Sequence, residues 1–275
     1  QVNEQREEVL AQALTKAAKQ DAVKALATLQ DLEKEHSVRR NWVWFELGKS
    51  PMADTLHYLV KMATKANEAF SSSSIEAIKN YYTTNGFSVD QLMRKALAVV
   101  KSEKDKTIVK SVIHLFYQPW IENITHKFQK LVEQDASIFT SQNAVVETET
   151  FVLFVDAFRY ELAEEFCKRL EKQQLKVSLQ AGWSAIPSLT PSAKPNVSPI
   201  ATAVSIQSGI AEFRPQLQNG KDLLTTVFRE ALKTADFKLI THANDIQGEG
   251  KYWQEIGDID TKGHEEQAGM VKRIE

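Results

Sequence analysis

The sequence has a single cysteine, Cys167, in 275 residues. That excludes an internal disulfide framework and a cysteine zinc cluster, and leaves Cys167 as core filler on a helix face. A charge excess of either sign is also missing. Thirty-four Lys and Arg stand against 36 Asp and Glu, giving a net charge of −2 and a pI near 6.4. This argues against a bulk DNA binder while leaving room for a local basic groove. No apolar run reaches the roughly 18 residues that read as a membrane-spanning helix. No signal-peptide pattern opens the chain, so the cytoplasm is the expected compartment. What the sequence does have is a hydrophobic content of 43%, ordinary for a globular protein. Its length allows one or two domains.

Residues 1–148 read as an α-helical domain. Val9, Leu10, Ala13, Leu14, Ala17 and Ala18 repeat at helical spacing, and a break is expected near Gln20-Asp21. The pattern resumes with Val23, Leu26 and Leu29, and again from Asp54 to Phe70, with Pro51 near that helix's first turn. Ser71-Ser-Ser-Ser74 reads as a loop or N-cap cluster, Asn85-Gly86 as a turn, and Ser88-Val-Asp-Gln91 as a capping box. Helices are expected over 92–100 and 108–131, the second bent at Pro119. The polar stretch 137–150 marks the domain boundary. Trp42, Trp44 and Phe45 are expected in a core or an inter-domain contact.

Residues 149–275 change character. Phe151-Val-Leu-Phe-Val155 is an unbroken apolar run that ends at Asp156, and a helical stripe of Leu162, Phe166 and Leu170 follows. Such a run is how a strand buried on both faces of a parallel sheet reads. Short strands are also expected at 175–179 and 237–242, with a helix over 223–235. Strand, helix and strand in alternation predict an α/β domain with a mainly parallel sheet between helices.

Chemistry concentrates in three places. Asp156 stands at a strand's carboxyl end, where α/β sheets bind ligands, and its carboxylate is a hard donor for a divalent metal. The segment Ile186-Pro-Ser-Leu-Thr190-Pro-Ser-Ala-Lys194-Pro, with Pro199 beyond it, reads as a rigid proline-studded loop. It carries Ser188 and Thr190 near Lys194, a hydroxyl beside a cation, and such a nucleophile needs a base or a metal to activate it. Finally, Asp260-Thr-Lys-Gly-His264 sets a carboxylate and an imidazole close enough to share a metal ion, with Gly263 giving the backbone room to turn.

These segments together resemble the PglZ family of bacterial phage-defence proteins, of the BREX and phage-growth-limitation type, within the alkaline phosphatase superfamily. Asp156-Ala-Phe-Arg-Tyr-Glu161 looks like the family's Asp-Ala-x-Arg-Tyr-Glu signature. Pro187-Ser-Leu-Thr-Pro191 looks like its Pro-[Ser/Thr]-x-Thr-Pro loop, and Asp260 to His264 is similar to the superfamily's Asp-x-x-Gly-His motif. Arg40 to Gly48 resembles, less specifically, the region preceding the domain. The resemblance implies the first half of an alkaline-phosphatase-like domain and a metal-dependent phosphoesterase acting on a phosphodiester or phosphomonoester. It implies two divalent ions, typically zinc, with manganese or magnesium as alternatives. Asp156 and Thr190 would serve one ion and Asp260 with His264 the other. Thr190, in the family's hydroxyl position, would be the nucleophile, and Lys194 would add charge stabilisation. Implied partners are other defence proteins, among them a DNA methyltransferase component, and nucleic acid. The superfamily's further Asp-His pair and His have no counterpart before Glu275, so the chain is expected to be a fragment.

Blander readings stand beside each of these. Asp156 could cap the following helix, Thr190 could be a turn hydroxyl, and Asp260 and His264 could be surface groups. Ser188 rivals Thr190, and Asp258 and Asp245 rival Asp260. Arg159 and Lys194 could be merely solvated, and His242 a packed strand-end residue. At the level of the whole protein, the alternative is a catalytically silent phosphatase-fold scaffold that docks other defence proteins.

Overall fold

A computed structural model describes residues 2–70, 73–134, 149–186, 188–205 and 215–265. Ser71, Ser72, the boundary stretch 135–148, Pro187 and the C-terminal segment 270–275 lie outside the described residues. The described part forms two compact units, one of helices from 2–134 and 160–177, the other from 149–159 and 178–265. Among the described residues the chain is mostly helical with a small parallel sheet, an arrangement compatible with an α/β fold. Among the described residues no helix is long and apolar enough to cross a membrane.

In the helical unit, α1 (Val2–Ala17), α2 (Ala22–His36), the short α3 (Val43–Glu46), α4 (Pro51–Ala66), α5 (Ile75–Tyr81), α6 (Phe87–Ala98) and α7 (Glu103–Gln134) follow the apolar periodicity. Leu10 with Leu14, Ala25 with Leu29, and Leu56, Leu59, Met62 and Ala63 are the buried stripes of α1, α2 and α4, joined in one core. The break at Gln20-Asp21 is a turn, and the Asp21 carboxylate caps α2 by accepting the Lys24 N–H at 3.0 Å. Ser74 caps α5 in the same way, through the Ala77 N–H at 3.1 Å. Pro51 opens α4 as read. α7 runs unbroken through Pro119, with Phe116 and Trp120 buried on either side of it.

Three helical-unit expectations change. Asn85-Gly86 is not a turn: Tyr82–Gly86 forms a π-helical segment that leads directly into α6. Gly86 sits in a close approach: a Cβ there would lie 3.1 Å from the rings of both Tyr81 and Tyr82, which would have to shift to admit it. Asp90 clamps the segment by accepting from the hydroxyls of Tyr82 and Tyr117, each at 2.6 Å. Ser88 consequently sits inside helical backbone and donates to the Asn85 carbonyl, so no capping box forms at 88–91. Trp44 is exposed rather than core, and Trp42 is half-buried with the guanidinium groups of Arg6 and Arg39 over its ring.

The helix after Asp156, α8 (Tyr160–Lys172), belongs to the helical unit rather than to the sheet. The sequence boundary at 148/149 does not separate it in this way. The Tyr160 hydroxyl donates to the Thr83 carbonyl at 3.3 Å, and Arg94 pairs with Glu165 at 2.8 Å. Glu161 is buried there and Cys167 is a half-buried free thiol. The Tyr160-Glu161 end of the apparent signature is thus part of helix packing.

The second unit holds a three-stranded parallel sheet in the order β1-β5-β4, from β1 (Thr150–Val155), β4 (Phe237–Leu239) and β5 (Lys251–Ile256). Val155 pairs with Ile256, and Leu239 with Trp253. A two-residue antiparallel pair, β2 (Val204–Ser205) with β3 (Gln216–Leu217), stands apart. The α9 (Thr190–Asn196), α10 (Thr225–Thr234) and α11 (Asp258–Glu265) helices complete the unit. Phe228 and Leu232 of α10 pack with Phe237 and Trp253 of the sheet, and with Ile200.

The run 151–155 reads as a strand buried on both faces, which would place it centrally, yet among the described strands β1 is an edge. Val152 and Phe154 pack on the α10 side, whereas Phe151 and Leu153 remain 41% and 44% exposed. A continuous apolar run leaves the position in the sheet open, and here the centre goes to β5. Residues 175–179 form no strand: Leu175 and Leu179 are exposed and have no sheet partner to bury them.

Candidate functional site

The parallel sheet fixes where its carboxyl edge lies. The Asp156 N–H donates to the Ile256 carbonyl at 2.9 Å, so Asp156 leaves β1 level with the end of β5, just where α11 begins. The chain then turns sharply. Ala157 adopts φ +58, a left-handed conformation that costs an alanine about 1–2 kcal/mol, and its N–H donates back to Asp156 Oδ1 at 2.9 Å. One carboxylate oxygen therefore holds the turn and the other, Oδ2, is presented outward.

Thr190 meets that second oxygen. Its hydroxyl donates to Asp156 Oδ2 at 3.2 Å, from 34 positions further along the chain. The proline-studded segment, read as a loop, is in fact partly helical: Thr190 opens α9, with Pro191 in the first turn and Pro195 inside. Proline in a first turn costs no hydrogen bond. Ser192 secures the start of the helix, its buried hydroxyl accepting the Leu189 N–H and donating to the Leu189 carbonyl. Ser188, the rival nucleophile, is exposed on the preceding stretch.

Lys194 lies one turn beyond Thr190 but is committed elsewhere. Its ammonium donates to Glu255 Oε2 at 2.8 Å and lies over the rings of Phe154 and Phe228 at 5.8 and 5.3 Å. Trp253 Nε1 donates to the other Glu255 oxygen at 3.1 Å, and Arg229 stands 3.9 Å away. Burial pushes the Glu255 carboxyl up, but the hydrogen bonds from Lys194 and Trp253, with the charges of Lys194 and Arg229, hold it below its usual value. Beside α9 opens a pocket of about 520 Å³ with Thr190, Lys194 and Phe228 in its wall.

Asp260 and His264 lie one turn apart on α11, with Asp260 Oδ1 and His264 Nε2 3.6 Å from one another. Gly263 is inside that helix and makes no turn. The imidazole is mostly exposed and Asp258 is exposed. Asp245 is engaged locally: its Oδ2 accepts the N–H groups of Thr241 and His242, which lower its pKa. His242 is exposed rather than packed. The structure thus joins Asp156 to Thr190, and Asp260 to His264. Among the described residues no three His, Cys, Asp or Glu side chains gather as a metal-holding group.

Glu255 and Arg229 escaped the sequence reading because β5 did. The signal was present: Gly250 and Gly257 bracket Lys-Tyr-Trp-Gln-Glu-Ile, a short run rich in residues that favour strands. The strained Ala157 leaves no trace in the sequence. Compared with known proteins, the chain matches no family model, no curated protein and no solved structure.

Proposed function

We propose that the sheet unit carries a phosphoesterase site in which Thr190 is the nucleophile and Asp156 its partner, in a protein of the PglZ type belonging to a bacterial phage-defence system. The observation that carries the reading is the 3.2 Å hydrogen bond from Thr190 to Asp156 at the carboxyl edge of a parallel sheet. Asp156 and Thr190 offer two hard oxygen donors side by side, a fit for part of one divalent cation's shell. Asp260 and His264 offer an oxygen and a nitrogen, a pair that zinc accepts. Bound metal would lower the hydroxyl pKa and offset charge on the phosphoryl oxygens.

The chain's own groups do the rest. Asp156 Oδ2 accepts the hydroxyl proton and holds the Thr190 oxygen in one direction. That oxygen attacks phosphorus, the ester P–O bond breaks, and the alcohol leaves with a proton. Water then attacks the phospho-threonine, releasing phosphate or a phosphomonoester and restoring the hydroxyl. Nucleic acid and a DNA methyltransferase component are the substrate source and the partner that the family resemblance implies.

The test combines calorimetric titration with zinc or manganese and hydrolysis of bis-p-nitrophenyl phosphate. Asp156→Ala should weaken metal binding, and Thr190→Ala should remove turnover while preserving the fold. Because the two residues act on one covalent step, the double variant should be scarcely worse than the worse single one. Unchanged turnover in Thr190→Ala would reject the nucleophile. The second reading, a silent phosphatase-fold scaffold, is favoured by one observation: the Lys194 ammonium is paired with Glu255 at 2.8 Å and spent there. Absence of turnover and of metal binding in the wild-type protein would select it.

A further inference from the structure

The pocket beside α9 differs from the Asp156–Thr190 pair in chemistry. Its apolar wall is formed by Pro191, Pro195, Leu224 and Phe228. Its polar members are Thr190, Thr225, Lys194 and Asp222, and the charges among them cancel or are spent. Lys194 is paired with Glu255 at 2.8 Å, and Asp222 is itself an anion, accepting from Gln216 Nε2 at 2.8 Å. An anionic phosphoryl group entering this pocket would lose its water and gain no unpaired cation, which opposes binding. An uncharged, flat group would instead exchange water for the exposed Pro191 ring and Leu224 side chain in the wall. The volume, about 520 Å³, falls within the ligand-pocket range of about 300–1,000 Å³.

We propose that this pocket is the subsite for the ester group of the substrate, and that the group it takes is aromatic. The inference rests on the reading of Thr190 as nucleophile, because Thr190 is the residue shared by the pocket wall and the Asp156 hydrogen bond. Phosphorus would sit outside, at Thr190 and Asp156, and the aromatic alcohol would lie inward along α9 and the start of α10. The substrate class is accordingly a phosphate ester of an aromatic alcohol rather than of a small polar one.

Saturation-transfer NMR on the 275-residue chain tests this with phenyl phosphate, phenol and glycerol 2-phosphate as probes. Ring protons of phenyl phosphate and of phenol should receive saturation, and glycerol 2-phosphate should not. Leu224, 65% exposed at the pocket wall, can carry a charge without unfolding the chain. Leu224→Glu should weaken phenyl phosphate binding about tenfold. Thr225→Glu, in the first turn of α10 where a carboxylate suits the helix dipole, should weaken it in the same direction. Equal binding by wild type and both variants, or tighter binding of glycerol 2-phosphate than of phenyl phosphate, would overturn the proposal. Thr190→Ala separates the two readings. Ring binding that persists while turnover is unaffected keeps the pocket and removes the nucleophile. Turnover that depends on Thr190 with ring binding indifferent to Leu224→Glu and Thr225→Glu removes the pocket alone.

Discussion

The helical unit and the sheet unit bury their apolar residues on different terms. In the first, Leu10, Leu14, Leu29, Leu56, Leu59 and Met62 come from helices adjacent in sequence and share one continuous core. In the second, Ile200, Phe228, Leu232, Phe237 and Trp253 form a small cluster drawn from distant segments, and one face of β1 keeps Phe151 and Leu153 at the surface. Polar groups divide in the same way. The helical unit encloses Arg39 completely, pairing it with Glu7, Asn3 and His36, whereas the sheet unit leaves Thr190 and the Asp260–His264 pair open to solvent. The first unit's polar interior supports its packing, while the second keeps these polar pairs at its surface.

The largest test of that difference is Arg39→Ala. Removing the guanidinium leaves the Glu7 carboxylate and Asn3 without their shared partner in the interior, and should cost about 3–5 kcal/mol in urea denaturation followed by circular dichroism. Thr190→Ala, by contrast, should stay within about 0.5 kcal/mol of wild type. A mild Arg39→Ala would mean that the buried network does not hold the helical unit together.

Next in size are two matched truncations. Leu59→Ala and Leu232→Ala each empty a fully buried site, and each should cost about 2–5 kcal/mol. Hydrogen exchange should locate the losses in different units: Leu59→Ala should expose amides of α4 and α6, Leu232→Ala those of α10 and β4. Exchange that rises equally everywhere in both variants would show one cooperative block.

Acid should separate the units by pH rather than by size. Burial holds the His36 pKa below its ordinary 6.5. Its Nδ1 faces Arg39 Nη1 at 3.2 Å and must accept, since Arg can only donate. A depressed folded pKa gives stability fully present above the unfolded value and lost as pH falls through the folded one. The helical unit should therefore begin to weaken below about 6.5. For Glu255, whose folded pKa is also depressed, the same sign puts the loss in the sheet unit below its ordinary 4.5. Fluorescence and exchange between pH 7 and 3 should find the helical loss first, and His36→Gln should remove the earlier phase. An earlier loss in the sheet unit would contradict the assignment.

The smallest effect concerns the turn after β1. Ala157→Gly relieves the left-handed strain but frees the unfolded chain, and should stabilise by about 0.5–1 kcal/mol in thermal melts. A loss of stability would mean that the methyl group at the turn contributes packing.

Most of the helical unit is legible in local patterns of residues. Periodicity is a local property, and caps such as Asp21 and Ser74 act within three residues, so α1, α2, α4 and α7 were legible. The exception, Gly86, has its reason in two tyrosine rings rather than in turn chemistry. The sequence also named Asp156 and Thr190, because a carboxylate closing an apolar run and a hydroxyl among prolines are written in consecutive residues. Their proximity was not written there. Strand order, the central place of β5, the commitment of Lys194 to Glu255 and the pocket beside α9 all depend on segments far apart in the chain. Contacts of that kind are set by which surfaces pack once the chain has folded, and no local pattern encodes them. That Thr190 donates to Asp156 while Lys194, one turn away, turns to the sheet follows from that packing alone.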